Sequence, residues 1–136
     1  MSNTFKNYEI ANIVNSMNLL SNIKLPIKVA WDIGYNQNRI ESALNRFIKA
    51  ERKIIAQYAV TDEYGNITYD NGQPIILPKL KQNFISDHNE LLKCECEVEL
   101  KKIKFSDLIK TSADVKQLEI EPIILKTLSF MFDYDL

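Results

Sequence analysis

From Pro26 to Tyr58, apolar residues recur at spacings of four and three through Ile33, Ile40, Leu44, Phe47, Ile54 and Tyr58. That period predicts one uninterrupted helix. About thirty residues rising 1.5 Å each make a rod of roughly 45 Å, so this helix must organise the molecule or extend from it. Gln37 and Glu51 interrupt the seam, whereas Ala43, Ile48, Ala50 and Ile55 widen the apolar face. A widened face marks the spine of a compact core more than a coiled-coil seam.

Upstream, Ile10, Ile13, Val14, Met17 and Leu20 predict a helix over 7–21, with Asn7 as its N-cap. The connection 21–25 leads to Pro26, which suits the first turn of the long helix because its missing N–H would be unpaired there. The two helices are expected to pack antiparallel. Gly34, costing about 1 kcal/mol relative to Ala inside a helix, is read as the site of a close crossing.

Beyond Tyr58 the turn-forming run Thr61 to Asn66 ends the helical period. Asn71-Gly72, between Ile67-Thr68-Tyr69 and Ile75-Ile76-Leu77, predicts a hairpin over 66–77, with Pro74 and Pro78 confining its second arm to an edge. Helical spacing resumes over 79–92 through Leu80, Phe84, Leu91 and Leu92. At Cys94 the period becomes two. Cys94, Cys96, Val98 and Leu100 share one face and Glu95, Glu97 and Glu99 the other, which predicts a strand over 94–103. A helical turn is expected over 105–110, then a polar loop. A final helix is expected to open at Glu121-Pro122 and to carry Ile124, Leu125, Leu128, Met131 and Phe132. The fold class is α+β: a long helix packed with N- and C-terminal helices around a small antiparallel sheet made of the 66–77 hairpin and the 94–103 strand. Residues 1–136 are read as one domain.

Charge removes one class of function. Seventeen basic against eighteen acidic side chains leave a net charge of -1, without the global basic footprint of a nucleic-acid binder. Nucleic acid is therefore disfavoured. No run approaches eighteen apolar residues, and the first ten residues lack a signal-peptide pattern, so no membrane is expected and the chain reads as cytoplasmic.

Two cysteines and one histidine fall short of the usual four-ligand zinc set, and no metal or cofactor is expected. Alternating strand cysteines point the same way, so Cys94 and Cys96 are read as small core residues rather than a disulfide. His88, between Asp87 and Glu90, is the one natural neutral-pH base, but it lacks a recognisable nucleophile partner and reads as a surface helix histidine. With no phosphate-cradling loop or nucleophile elbow, no catalytic residue is assigned. The chain is read as not an enzyme.

The candidate chemistry lies on the long helix, opposite its apolar seam. At about 100° per residue, Trp31, Tyr35, Arg39, Arg46, Lys49 and Lys53 share one face, an aromatic pair continuing into a basic row. These residue types anchor protein interfaces and pair with anions. The plain alternative is that another helix covers Trp31 and Tyr35, leaving the cations as a solvated face. The partners considered are a protein of phage or host and, second, an anionic ligand; a homo-oligomer is a further form the seam allows.

The order of segments adds a resemblance. Leu25-Pro26-Ile27-Lys28, Lys53-Ile54-Ile55-Ala56-Gln57-Tyr58-Ala59 with Asp62-Glu63-Tyr64-Gly65-Asn66, Asn89-Glu90-Leu91-Leu92 with Glu97-Val98-Glu99-Leu100 and Ile103, and Leu128-Ser129-Phe130-Met131 resemble a family of small proteins encoded by phages and prophages of Gram-positive bacteria. Its members have no known function, so the resemblance implies phage origin and a late-gene or accessory role, and carries no active site. The expected function is a non-enzymatic interaction protein, such as a small virion or tail-assembly component or an assembly chaperone, in the host cytoplasm or the virion. The second expectation is an inhibitor that binds a bacterial defence protein or sequesters an anionic nucleotide signal. An enzyme built on His88 is a remote third.

Overall fold

The computed structural model describes residues 2–108 and 122–133. The chain read above as one domain clusters into two compact units, Met1–Leu44 with Glu95–Leu136, and Asn45–Cys94. The α+β class holds. A long helix is packed with N- and C-terminal helices, and the strands form small two-stranded sheets.

In the first unit, β1 (Ser2–Lys6) leads directly into α1 (Asn7–Ser21). Lys6, not Asn7, is the N-cap: the Glu9 side chain accepts the Lys6 N–H at 3.0 Å, while Asn7 is buried in the first turn. The long helix α2 is Ile27–Tyr58, and Pro26 stands just before it, its carbonyl accepting the Ala30 N–H. Its buried stripe in this unit is Val29, Ile33, Asn36, Ile40 and Ala43. The polar residue inside the stripe is therefore Asn36. Gln37 lies at the margin, where it donates to the Asn18 side chain at 2.6 Å. Among the described residues Gly34 serves no crossing, because an added Cβ would meet none of their atoms within 4 Å.

The strand β4 (Glu95–Glu99) forms as its alternation predicts, with Cys96 and Val98 buried and the glutamates outward. Its partner is β1, antiparallel, with Phe5 opposite Cys96 and Lys6 opposite Glu95. The expected sheet of hairpin plus strand is thus corrected: both elements exist, but in separate sheets. Polar pairs cross the β1–β4 seam, Ser2 Oγ to Glu97 at 2.7 Å and Lys6 Nζ to Glu95 at 3.3 Å. A short β5 (Ile103–Lys104) leads into α4 (Phe105–Leu108). The rest of the expected 105–110 turn, the polar loop after it and Glu121 lie outside the described residues.

The final helix, α5 (Pro122–Thr127), is shorter than expected. Ser129–Met131 form a 3₁₀ turn, and β6 (Phe132–Asp133) pairs in parallel with β5. Pairing with β5 draws Phe132 into extended backbone, which an α-helix cannot supply. Helix α5 packs on α1, and the core gathers residues such as Ile10, Met17, Leu20, Ile33, Ile40, Leu108, Leu128 and Met131, each at most 1% exposed.

The second unit holds the C-terminal part of α2, the hairpin β2 (Tyr69–Asp70) and β3 (Gln73–Pro74), and α3 (Pro78–Lys93). Asn71 and Gly72 take φ of 51° and 77°, the left-handed pair that a two-residue type I′ turn requires. Here α3 runs antiparallel to α2, with Tyr58 edge-on to Phe84 and Glu51 bonded to His88. Cys94 caps α3, its N–H donating to the Leu91 carbonyl, and is exposed. That corrects its reading as a core residue; only Cys96 is buried. Among the described residues, no helix is long and apolar enough to cross a membrane.

The open side of Gly34 makes a direct prediction. Gly34→Ala should raise stability by about 0.5–1 kcal/mol in denaturant unfolding, because alanine lowers the helix cost and its Cβ meets no atom of the described residues. A loss of stability would show that this side is covered.

A candidate interaction site on the long helix

The site is built outward from one buried amide. Asn36 is 0% exposed, and an unpaired side-chain amide there would cost about 1–3 kcal/mol. Instead its Nδ2 donates to the Lys101 carbonyl at 2.9 Å, and its Oδ1 accepts the Lys101 N–H at 2.8 Å. Both backbone groups of Lys101 are satisfied as a neighbouring strand would satisfy them. The Asn36 Nδ2 also approaches Met131 Sδ at 3.8 Å. The segment between β4 and β5 is thereby fixed to α2.

This clamp directs the Lys101 side chain. Its Nζ lies 4.7 Å from the centroid of the Tyr35 ring and 3.7 Å from Asp32 Oδ1. Arg39, one turn along from Tyr35, brings its Cζ within 5.2 Å of the same ring. Tyr35 is thus held by two cations, an arrangement that orients the ring and gathers positive charge at its faces. One turn earlier, Trp31 is 74% exposed and forms no hydrogen bond. Beside it lies a shallow, open depression of about 410 Å³ on the surface of α2, lined by Ala30, Trp31, Gly34, Tyr35, Gln37 and Asn38. An exposed indole therefore stands beside an open depression on the same helix.

Of the six residues singled out by helical spacing, the structure brings Trp31, Tyr35 and Arg39 together in the first unit. Arg46, Lys49 and Lys53 belong to the second unit, where all three are exposed and form no ion pair or hydrogen bond. Helical spacing alone does not reach Lys101, Asn36 or Asp32. Asn36 does carry a signal, a polar amide at a position that continues the apolar stripe. Lys101 carries none, since its place depends on a contact 65 residues away in sequence.

His88 has a different partner from those its neighbours suggest. Its Nε2 lies 2.9 Å from Glu51 Oε2 on α2, not against Asp87 or Glu90, and its ring stacks on Phe84 at 5.7 Å. Asp87 accepts a short hydrogen bond from the Tyr58 hydroxyl. That bond, then burial and the Asp87 charge, push the Tyr58 phenol above its ordinary value. The two polar pairs join α3 to α2 and occupy the histidine in holding them. Among the described residues, no group of three or more His, Cys, Asp or Glu side chains is placed to hold a metal ion.

Comparison with protein-family models, curated proteins and solved structures finds no match for this chain. The side-chain geometry therefore carries the functional reading.

Two outcomes follow from this geometry. Asn36→Leu should lower stability by roughly 2–4 kcal/mol, since it strands both Lys101 backbone groups, whereas Lys101→Ala should change it by less than about 1 kcal/mol. Equal costs in urea unfolding would contradict the clamp. A raised Tyr58 pKa gives stability that is present below the unfolded tyrosine value of about 10 and lost as pH rises through the folded value. Tyr58→Phe should therefore flatten the fall in stability above about pH 10, and an unchanged alkaline slope would contradict it.

Proposed function

We propose that this chain is a non-enzymatic interaction protein that engages a protein partner through the exposed face of α2, with Trp31 as the anchor and Tyr35 and Arg39 beside it. The observation that carries the reading is the indole, 74% exposed beside an open depression on the same helix and a tyrosine fixed by two cations. Tryptophan, tyrosine and arginine are enriched among the few residues that dominate the energy of protein interfaces, and a ring that is already oriented loses little freedom on binding. Lys101 and Arg39 would favour a partner with carboxylates at its rim. The resemblance to phage-encoded proteins supports a virion or tail-assembly component, or an assembly chaperone, as the setting for that contact.

A second reading draws on the same cluster. Arg39 beside the Tyr35 ring supplies the pairing of cation and aromatic face that an anionic nucleotide uses, which would suit an inhibitor of bacterial defence that captures a nucleotide signal.

The test uses the single tryptophan of the chain. A partner captured by the full chain should bind Trp31→Ala and Arg39→Ala at least tenfold more weakly, about 1.4 kcal/mol, with far-ultraviolet circular dichroism unchanged. Equal affinity of both variants would overturn the assignment of this face. Titration with nucleoside phosphates should leave Trp31 emission unchanged; saturable quenching that is lost in Arg39→Ala would favour the second reading instead.

A further inference from the structure

The second unit is held together differently from the first. None of its residues from Asn45 to Cys94 is buried, and the 16 residues of α3 place no side chain in a core, whereas α1, with 15, buries seven. The apolar residues that α2 and α3 carry in this unit, among them Phe47, Ile54, Ile55, Leu80 and Phe84, are only half-buried. In the connection between the two helices, Tyr64, Tyr69, Ile75 and Leu77 are exposed.

Apolar burial contributes in proportion to the area removed from water, so a helix pair without one buried side chain gains less from it than the first unit does. Directional contacts then weigh more. Two of them join α3 to α2, and both come from adjacent residues of α3: His88 Nε2 lies 2.9 Å from Glu51 Oε2, and Asp87 accepts the Tyr58 hydroxyl. Phe84, one turn earlier, meets the Tyr58 ring edge-on and stacks on His88. These contacts are concentrated in a single turn of α3.

We propose that α3 and the β2–β3 hairpin form a latch that opens from α2 while the first unit stays folded, with Glu51–His88 and Tyr58–Asp87 as its two catches. Glu51, Ile54, Ile55 and Tyr58 stand at the spacings of three and four that define one face of α2, and opening releases that face. The latch does not depend on the Trp31 face. It makes the second unit the part of the fold that rearranges at least cost.

Amide hydrogen exchange on the full chain tests this, because a segment that opens by itself exchanges faster than the rest of the molecule. Once corrected for local sequence, amides within α3 should exchange at least roughly tenfold faster than those of Ile13 and Met17 in α1. Tyr58→Phe and Glu51→Ala, each removing one catch, should each speed α3 exchange by roughly fivefold and leave α1 unchanged. Gly34→Ala, which acts in the first unit, should leave α3 exchange unchanged. A common rate for α3 and α1, or variants that move both helices together, would mean that the protein opens as a single body, and the proposal fails. It fails equally if α3 exchanges fast but neither catch variant alters its rate.

Discussion

The amide of Asn36, with one donor and one acceptor fixed on the two backbone groups of Lys101, is the interaction on which the first unit's surface depends. A buried polar side chain at the centre of an apolar stripe is costly unless both its ends are satisfied. Here the satisfaction comes from a segment with no regular structure of its own, between β4 and β5. The two bonds fix the Lys101 backbone, two residues beyond β4, against α2. Ile33, Ile40 and Met131 belong to the apolar core around it, where burial is non-directional, whereas the amide's two hydrogen bonds are directional.

The same clamp links core and surface. Lys101 is held by its backbone on the buried side of α2, and its side chain reaches over Tyr35 on the exposed side. The surface cluster of Trp31, Tyr35, Arg39, Asp32 and Lys101 is therefore partly preorganised, and less conformational freedom remains to be lost when something docks. Glycine at position 34 contributes from the other direction. It gives up helix stability in a place where an added Cβ would meet no atom of the described residues within 4 Å.

Much of the architecture was legible because its signals are periodic and local. The long helix, α1, α3, the Asn71-Gly72 turn and the alternation of β4 all follow from spacing or turn chemistry within a few residues. What escaped depends on distant partners. The strand Ser2–Lys6 offers a single buried apolar residue, Phe5, and becomes a strand because β4 lies beside it. Cys94 fits the strand alternation but is taken by the end of α3, and Phe132 fits a helical period but is taken by β5. In the candidate site, Trp31, Tyr35 and Arg39 follow from helical spacing, whereas Lys101 arrives through a tertiary contact. Gly34 was visible as an anomaly, but its open side was not.

Amide hydrogen exchange at Lys101 tests the central claim most directly, because that N–H has no partner in a helix or strand and is protected only if Asn36 holds it. The clamp predicts exchange as slow as that of core amides such as Ile33 and Ile40, with the Lys101 side-chain methylene resonances shifted by the Tyr35 ring, and both features lost together in Asn36→Ala. Rapid exchange at Lys101 while Ile33 and Ile40 remain protected would contradict it.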